Sequence, residues 1–262
     1  MITAGVDVGA KFVKIVMLKD GKILTKAKAP IGFDIVRSVN ALFECTLKEA
    51  GLSRNDLKRV IATGMGRRAV LGKPPISADE AVSEVVADAA GAYFVVPTGK
   101  TVIDIGAEEG RGIKIEGGKV KDFVINERCA AGAGTFIEAM ARALDVNVEE
   151  IGSLCLKSMN TIPMNAQCCV FAESEVVSLI HSKKASREDI AKAIHDAIAG
   201  RICSMIMRIG VEKDVVLIGG LALNMGFLQS LQKGLNTDII VPEFPEFVGA
   251  LGAAVIAARL AG

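Results

Sequence analysis

The sequence predicts an α/β fold that contains two copies of one structural unit. Apolar strand-like segments alternate with segments of helical periodicity along the chain. In addition, residues 101–120 align without a gap on the stretch that begins at residue 4, with an offset of 97 residues (104 − 7) from Asp7 to Asp104. A repeat of that length is too long for a solenoid, so it indicates a duplicated domain with two similar lobes that face each other across a cleft.

The first lobe begins with a strand that ends in Asp-Val-Gly, followed by a turn, a second strand, an Asp-Gly hairpin turn and a third strand, all within residues 4–24. Helical periodicity follows at residues 35–50 and 78–92. Between these helices, residues 60–67 predict a strand that runs into a glycine turn. We expect this lobe to span residues 1–98 and to be rejoined by residues 246–262.

The second lobe, expected at residues 99–245, repeats the strand pattern and continues with a glycine-rich turn that opens an amphipathic helix at residues 128–144. A helix-like segment follows at 148–157, then a cysteine-containing segment at 165–180 and a long helix at 186–210. Ser186 and Asp189 resemble an N-terminal capping box for that helix. A buried strand at 214–224, a helix at 225–234, a short strand and a proline-containing connector lead to a final helix of small residues.

Composition argues against nucleic acid and membranes as partners. The 262 residues are 51% hydrophobic, and 31 basic residues nearly balance 30 acidic ones. A net charge of +1, one tyrosine and no tryptophan offer neither a basic patch nor a base-stacking platform. The N-terminus lacks an export signal, and the longest apolar runs are short or broken by glycine. We therefore expect a cytoplasmic globular protein.

The duplicated Asp-x-Gly turns predict a nucleotide site. Glycine lets backbone amides approach phosphate oxygens, while an aspartate at the end of a strand can hold Mg²⁺ or orient a water. A single copy is as often an ordinary turn. Two copies followed by Gly219-Gly220 match the two phosphate loops and the adenosine loop of the actin, Hsp70 and sugar-kinase superfamily, which has an RNase H-like fold. ATP binding between the lobes is therefore expected.

The cysteines divide into two groups. Cys45, Cys155 and Cys203 lie on predicted helices among apolar neighbours, as expected for buried packing residues. Cys129 precedes the glycine-rich turn, and Cys168 precedes a helix, where a thiolate, a thiolate-bound cluster or a phosphate would be stabilised. Two such cysteines cannot complete a four-thiolate site alone, whereas two chains around a two-fold axis can. Zinc on Cys129, Cys168 and the adjacent Cys169 is the weaker alternative.

The segments RCAAGAGTFIEAM, NAQCCVFAESEV, ATGMGR, DVVLIGGLALN and GALGAA resemble the ATPase family that contains the activators of 2-hydroxyacyl-CoA dehydratases and the ATP-hydrolysing subunits of benzoyl-CoA reductase. The resemblance extends over nearly the whole chain. It implies a 4Fe-4S cluster shared between two protomers, each of which supplies two cysteines. It also implies that Mg²⁺-dependent ATP hydrolysis drives an electron from reduced ferredoxin to a partner that reduces a CoA thioester.

The resemblance assigns roles to individual residues. Cys129 and Cys168 match the cluster ligands, and Gly132 and Gly134 belong to the turn between the first ligand and its helix. Asp7, Asp104 and Glu108 are the candidate catalytic residues, which would organise Mg²⁺ and the attacking water. The remaining nucleotide-binding candidates lie in the two phosphate loops and the adenosine segment: Gly9, Ala10, Lys11, Lys14, Gly106, Ala107, Gly219, Gly220 and Asn224.

Three departures from the family pattern refine the placement. Gly9-Ala10-Lys11 replaces Gly-Ser-Thr, residues 104–109 read DIGAEE instead of DIGGQD, and Asp88 replaces a histidine. The DIGAEEGR version resembles one of the two related ATPase subunits of ATP-dependent benzoyl-CoA reductase, an enzyme of anaerobic aromatic degradation in which unlike ATPase chains pair. We predict that role, with a related ATPase subunit as partner.

Three alternatives remain. A homodimeric activator of a 2-hydroxyacyl-CoA dehydratase would pair with a second copy of itself. A small-molecule kinase would share both phosphate loops but would need no cysteine before the glycine turn. A regulatory protein of the same fold that no longer hydrolyses ATP is compatible with the altered Glu108-Glu109 loop.

Overall fold

The computed structural model describes residues 1–126, 134–164 and 168–262. The chain divides into two compact units. Unit 1 contains Met1–Gly99, Ile115–Lys121 and Glu246–Gly262, and unit 2 contains Lys100–Lys114 and Asp122–Pro245. The sequence-based boundary assigned the hairpin tip at Ile115–Lys121 to the second lobe. In the structure this tip groups with unit 1, where Gly118 lies against the Tyr93 ring. A Cβ atom at Gly118 would stand 3.0 Å from a carbon of that ring.

Unit 1 is built on a five-stranded sheet in the order β3-β2-β1-β4-β5. Its strands are β1 (Ile2–Val8), β2 (Phe12–Lys19), β3 (Lys22–Pro30), β4 (Leu57–Thr63) and β5 (Glu80–Ala81). Its helices are α1 (Ile35–Glu49), α2 (Glu84–Val95) and α8 (Val248–Ala261). Alternate side chains of β2 pack on opposite faces: Ile15 belongs to the cluster that includes α1, and Val16 belongs to the cluster that includes α8. Helices therefore cover both faces of this sheet.

Unit 2 repeats the same sheet, in the order β10-β9-β6-β7-β8. The strands of this sheet are β6 (Thr101–Ile105), β7 (Gly110–Glu116), β8 (Lys119–Asn126), β9 (Val215–Ile218) and β10 (Ile239–Ile240), and only the tip of the β7–β8 hairpin groups with unit 1. β6 pairs antiparallel with β7 and parallel with β9, as β1 pairs with β2 and β4. The helices are α3 (Gly134–Ala143), α4 (Ile151–Cys155), α5 (Cys169–Ser182), α6 (Arg187–Ile206) and α7 (Met225–Leu235). The duplicated α/β fold is confirmed.

Local signals in the sequence determine several helix ends. Ser186 and Asp189 form the expected capping box of α6. The helix predicted at 78–92 begins later, at Glu84, because the Ser83 hydroxyl caps it and the preceding residues Glu80–Ala81 pair with β4 instead. The helical segment predicted at 148–157 is limited to Ile151–Cys155. Among the described residues, no helix combines the length and the apolar character that crossing a membrane requires.

Candidate functional site

The two predicted aspartates occupy equivalent positions in the two units. Asp7 lies near the end of β1 and Asp104 near the end of β6, and both are buried. Beside each carboxylate, the chain leaves the neighbouring parallel strand through a glycine with positive φ, 91° at Gly64 and 88° at Gly219. A Cβ atom would stand 2.6 Å from Asp7 Oδ1 at Gly64 and 2.4 Å from Asp104 Oδ1 at Gly219. Only glycine fits there.

A cation from the adjacent antiparallel strand contacts each aspartate. Lys14 Nζ lies 2.9 Å from Asp7 Oδ2. In unit 2, the buried guanidinium of Arg111 donates to Asp104 Oδ2 and, 2.8 Å away, to Glu109 Oε2. These pairs follow the strand register, in which Asp7 faces Lys14 and Asp104 faces Arg111. Each carboxylate is therefore held in a fixed orientation at the end of its strand.

The predicted phosphate loops are two equivalent tight turns. Gly9 donates its amide to the Phe12 carbonyl at 3.1 Å, and Gly106 donates its amide to the Glu109 carbonyl at 2.9 Å. Ala10-Lys11 and Ala107-Glu108 are the central residues of these turns. The Glu108 side chain is exposed, whereas Glu109 is partly buried against Arg111. The two acidic residues therefore have different environments, and only Glu108 lies at the tip of its turn.

Arg67, which is not among the predicted site residues, lies close to the Asp7 turn. Gly66 donates its amide to the Val8 carbonyl at 2.9 Å, which brings the turn after β4 against the turn after β1. Arg67 then folds back, and its Nη1 donates to the Gly64 carbonyl at 2.9 Å. A guanidinium thus lies beside the Asp7 turn. A signal for it existed in Gly-Met-Gly-Arg, which directly follows a buried strand.

The predicted second phosphate loop is hydrogen-bonded to the first turn of α3. Gly134 donates its amide to the Gly106 carbonyl at 2.8 Å, and Thr135 donates to the Ala107 carbonyl at 3.0 Å. A Cβ atom at Gly134 would stand 3.2 Å from the Gly106 oxygen, so a larger residue would crowd the loop. The helix that follows the RCAAGAG motif and the loop that follows β6 thus form one assembly. The predicted residues Cys129 and Gly132 lie outside the described residues.

The described cysteines differ in how well their thiols could bind a metal or a cluster. Cys168 is partly buried and occupies the N-cap position of α5. Burial raises the pKa of the Cys155 and Cys203 thiols to about 11, so both are protonated packing residues, as predicted. The expectation that Cys45 is buried is wrong: it is exposed on α1 and lies 3.5 Å from the Glu49 carboxylate, which raises its thiol pKa.

Of the two predicted cluster ligands, the structure describes Cys168. Residues 1–126, 134–164 and 168–262 contain no group of three or more histidine, cysteine or acidic side chains that could hold a metal. Cys168 is followed in the chain by two exposed apolar residues, Val170 at 66% and Phe171 at 69% exposure. A partly buried thiol at a helix start beside such a surface suits a site completed by other ligands.

The predicted adenosine segment follows β9. Gly219 ends the strand and donates its amide to the Pro245 carbonyl at 3.0 Å. A short 3₁₀ turn over Gly220–Leu223 leads to Asn224, whose side chain caps α7 by accepting from the Phe227 amide at 2.9 Å. The three predicted residues thus share one glycine-initiated turn at the carboxyl end of the sheet in unit 2, where ligands of α/β folds bind.

Asp88 lies in unit 1 close to the first aspartate. It is 4% exposed on α2. A Cβ atom at Gly249 would stand 3.0 Å from Asp88 Oδ1 and 3.8 Å from Asp7 Oδ2. The two carboxyl groups therefore border the same glycine.

Duplicated sheets, each with an aspartate at the end of its first strand and a glycine turn beside it, are characteristic of the two-lobe fold of the actin, Hsp70 and sugar-kinase superfamily. Comparison with known structures agrees: a glucokinase of the ROK family from Streptomyces griseus superposes with a TM-score of 0.62 at 16% identity, covering 99% of this chain and 100% of that one. Residues 4–257 match the BadF/BadG/BcrA/BcrD ATPase family. The chain belongs to that family.

Relatives within the family cover nearly the full chain. An activator of lactoyl-CoA dehydratase from Anaerotignum propionicum is 40% identical over 98% of this chain and 97% of its own. The 2-hydroxyisocaproyl-CoA dehydratase activator from Clostridioides difficile is 38% identical over 98% of this chain and 95% of its own. One of the benzoyl-CoA reductase subunits from Thauera aromatica is 33% identical over 97% of this chain and 92% of its own.

Two solved activator structures match the whole fold. Component A of the (R)-2-hydroxyglutaryl-CoA dehydratase from Acidaminococcus fermentans superposes with a TM-score of 0.94 at 37% identity, covering 100% of this chain and 99% of that one. The activator of 2-hydroxyisocaproyl-CoA dehydratase from Clostridium difficile, with bound ADPNP, gives 0.91 at 38% identity, with 100% and 96% covered. ATP binding is therefore supported, and the relatives favour the dehydratase-activator alternative over the benzoyl-CoA reductase role.

Proposed function

We propose that this protein is a homodimeric, ATP-hydrolysing activator of a 2-hydroxyacyl-CoA dehydratase, which passes an electron from reduced ferredoxin to the dehydratase. The observation that carries the proposal is the similarity to dehydratase activators, 38–40% identical over 98% of the chain. The duplicated aspartate turns supply the ATPase chemistry that such a role requires.

Each unit carries one candidate phosphate loop of the proposed ATPase. Backbone amides of the turns at Gly9 and Gly106 bind phosphate oxygens, because glycine allows the close approach. Asp7 and Asp104 orient Mg²⁺ and the attacking water, and their paired cations keep each carboxylate in a fixed orientation. The exposed Glu108 at the turn tip supplies a further carboxylate for a Mg²⁺-bound water.

Three further groups complete the nucleotide site. Lys11 replaces a hydroxyl of the family pattern and adds positive charge to the first loop. Arg67, beside the same loop, is a further phosphate-binding candidate. Gly219, Gly220 and Asn224 bind the adenosine.

Cys129 and Cys168 would hold a 4Fe-4S cluster together with the same two cysteines of a second copy. When bound, that cluster would carry one electron at low potential. Val170 and Phe171 follow Cys168 in the chain, and their apolar side chains are exposed. This exposure supports burial of the start of α5 against a partner.

Nucleotide state reaches the cysteine-bearing segment through the backbone. The amides of Gly134 and Thr135 are bonded to the carbonyls of Gly106 and Ala107, so a change in the second phosphate loop changes the first turn of α3. This helix begins at Gly134, and Cys129 belongs to the segment that precedes it in the chain. We propose that ATP hydrolysis alters the environment of the cluster along this path, since hydrogen bonds and solvent exposure set cluster potentials.

One observation keeps the benzoyl-CoA reductase role as a second candidate. Residues 104–111 read DIGAEEGR, which resembles an ATPase subunit of that enzyme, and Glu109 and Arg111 of this segment form an ion pair with each other. In this role a related ATPase chain replaces the second copy.

An activation assay tests the proposal. The anaerobically purified protein, reduced ferredoxin and ATP are added to the inactive dehydratase of the A. fermentans or C. difficile system. We expect dehydration of the 2-hydroxyacyl-CoA substrate only when ATP is present. Activation of benzoyl-CoA reductase components alone would select the second candidate. Phosphate transfer to a small acceptor by protein without iron would instead identify a kinase and refute both.

A further inference from the structure

Thr63, the last residue of β4, has a hydroxyl group that is buried without a partner. The residue is 1% exposed, and within the described part of the chain its Oγ1 atom makes no hydrogen bond. A buried hydroxyl without a hydrogen bond costs free energy, so each such group in a native fold needs an explanation. The buried Thr3 of β1 shows the usual arrangement, because its hydroxyl donates to the Ala254 carbonyl at 3.1 Å. The Thr63 hydroxyl therefore indicates a bound group that the protein itself does not supply.

Thr63 lies on the same face of the sheet as Asp7. The register of the parallel strands β1 and β4 pairs these two residues, and paired residues direct their side chains to one face. That face is covered by α8. Ile61, two residues before Thr63, packs against α8, and a Cβ atom at Gly5, two residues before Asp7, would collide with the α8 backbone. The hydroxyl and the carboxylate are thus neighbours under one helix.

The two carboxylate oxygens of Asp7 lie on different sides. Lys14 Nζ is 2.9 Å from Oδ2. Oδ1 is 2.6 Å from the position of a Cβ atom at Gly64, the residue that directly follows Thr63. The same Oδ1 is 3.9 Å from the position of a Cβ atom at Gly9, in the predicted first phosphate loop. Oδ1 therefore lies between that loop and the end of β4 that carries the Thr63 hydroxyl.

A second carboxyl group borders Asp7. Asp88 of α2 is 4% exposed, and a Cβ atom at Gly249 would stand 3.0 Å from its Oδ1 and 3.8 Å from Asp7 Oδ2. Two carboxyl groups and a hydroxyl thus meet at the carboxyl ends of β1 and β4. Oxygen groups of this kind bind Mg²⁺ and the waters that it retains. The unpaired hydroxyl of Thr63 distinguishes this cluster from an ordinary buried ion pair.

We propose that Thr63 is a positioning residue for Mg²⁺: its Oγ1 atom accepts a hydrogen bond from a water of the Mg²⁺ shell that Asp7 orients. This inference rests on the proposed assignment of Asp7 to Mg²⁺. Protein-bound Mg²⁺ keeps several of its waters, and a hydroxyl oxygen has two lone pairs with which to accept from one of them. The contact forms only with the hydrated metal, which accounts for a hydroxyl that finds no partner among the described residues.

Three variants isolate the hydroxyl. Thr63→Val replaces it with a methyl group of similar shape, and Thr63→Ser retains it. Thr3→Val is the matched control, because it removes the hydroxyl of another buried threonine, one that is already bonded within the protein. In urea denaturation without Mg²⁺, we expect the midpoint of Thr63→Val to equal or exceed that of the wild type, since an unsatisfied polar group is lost. The midpoint of Thr3→Val should be lower.

Calorimetric titration of the full-length protein with ADPNP, in Mg²⁺ and in EDTA, tests the proposal. In Mg²⁺, the ADPNP affinity of Thr63→Val should fall about fivefold, the effect of about one hydrogen bond. Thr63→Ser and Thr3→Val should stay within about twofold of the wild type. In EDTA, all three variants should bind ADPNP as the wild type does, because the contact requires the metal.

Three results would overturn the proposal: a Thr63→Val protein that is less stable than the wild type or fails to fold, an unchanged ADPNP affinity of Thr63→Val in Mg²⁺, or equal losses in Thr63→Val and Thr63→Ser. The first would mean that the hydroxyl serves the fold, and the second that it binds no metal water. A wild type that binds no ADPNP, or binds it equally in Mg²⁺ and EDTA, would instead refute the proposed nucleotide site itself.

Discussion

Replacing Arg111 with methionine tests whether the ion pair on the second aspartate is as important as its burial implies. The Arg111 and Asp104 side chains are only 8% and 10% exposed. Removing one partner of a buried pair leaves the other charge uncompensated, which costs about 3–5 kcal/mol. We therefore expect Arg111→Met to lower the free energy of unfolding by about 3–5 kcal/mol and to abolish most ATPase activity, because Asp104 is no longer held in its orientation.

Two control variants define the cause of this loss. Arg111→Lys keeps the charge and reproduces the Asp7–Lys14 pair of unit 1, so it should lose only the contact with the partly exposed Glu109, about 1 kcal/mol or less. Arg111→Met combined with Asp104→Asn removes both charges and should recover part of the stability while remaining inactive. Urea denaturation and an ATPase assay measure both quantities. A loss below about 1 kcal/mol in Arg111→Met, or no recovery in the double variant, would refute the reasoning.

Two more predictions concern a glycine turn and the buried histidine. Gly219→Ala should lower the free energy of unfolding by more than about 2 kcal/mol, because Gly219 has a positive φ and a Cβ atom there would stand 2.4 Å from Asp104 Oδ1. The control is Gly21→Ala, where φ is also positive but a Cβ atom would meet open space. It should lower the free energy of unfolding by about 1 kcal/mol in the same denaturation experiment. Equal losses would contradict the steric argument. Burial lowers the pKa of His195 from its usual value of 6.5. Below pH 6.5 the unfolded chain therefore binds a proton that the folded chain does not bind. As the pH is lowered from 6.5 to the lowered pKa of the folded state, the free energy of unfolding decreases. On α6, the charged side chains close to His195 in the sequence are Asp196 and its ion-pair partner Lys192. On α4, the Cys155 thiol has a pKa of about 11 and does not titrate in this pH range. His195→Gln should remove that part of the pH dependence in denaturation curves measured from about pH 7 to about pH 5; an unchanged slope would show that other groups cause it.

The duplication made much of the fold predictable from the sequence. Aligning Asp7 with Asp104 also aligns the strands, turns and paired cations, because the strand register is fixed by the same alternation of buried residues in both copies. The start of α6 was predictable for a local reason, since a capping box is formed by residues three apart.

Other features depend on contacts that no local pattern encodes. The strand β5 has only two residues, which is too short to show the alternation of a strand. The sequence therefore predicts a helix that already begins at residue 78 and includes β5. Cys45 has apolar sequence neighbours, but it is two residues from the buried Phe43, which places it on the opposite face of α1. The return of the Arg67 side chain onto Gly64 depends on the conformation of the turn after β4.

Iron and acid-labile sulfide analysis with EPR of the anaerobically purified protein tests the central claim most directly. We predict about four irons per dimer, a signal from a reduced 4Fe-4S cluster, and loss of both iron and signal in Cys129→Ser and Cys168→Ser. Cys155→Ala, which removes a protonated packing thiol of the same unit, should keep the cluster. Protein without iron, or an unchanged signal in Cys168→Ser, would contradict the account.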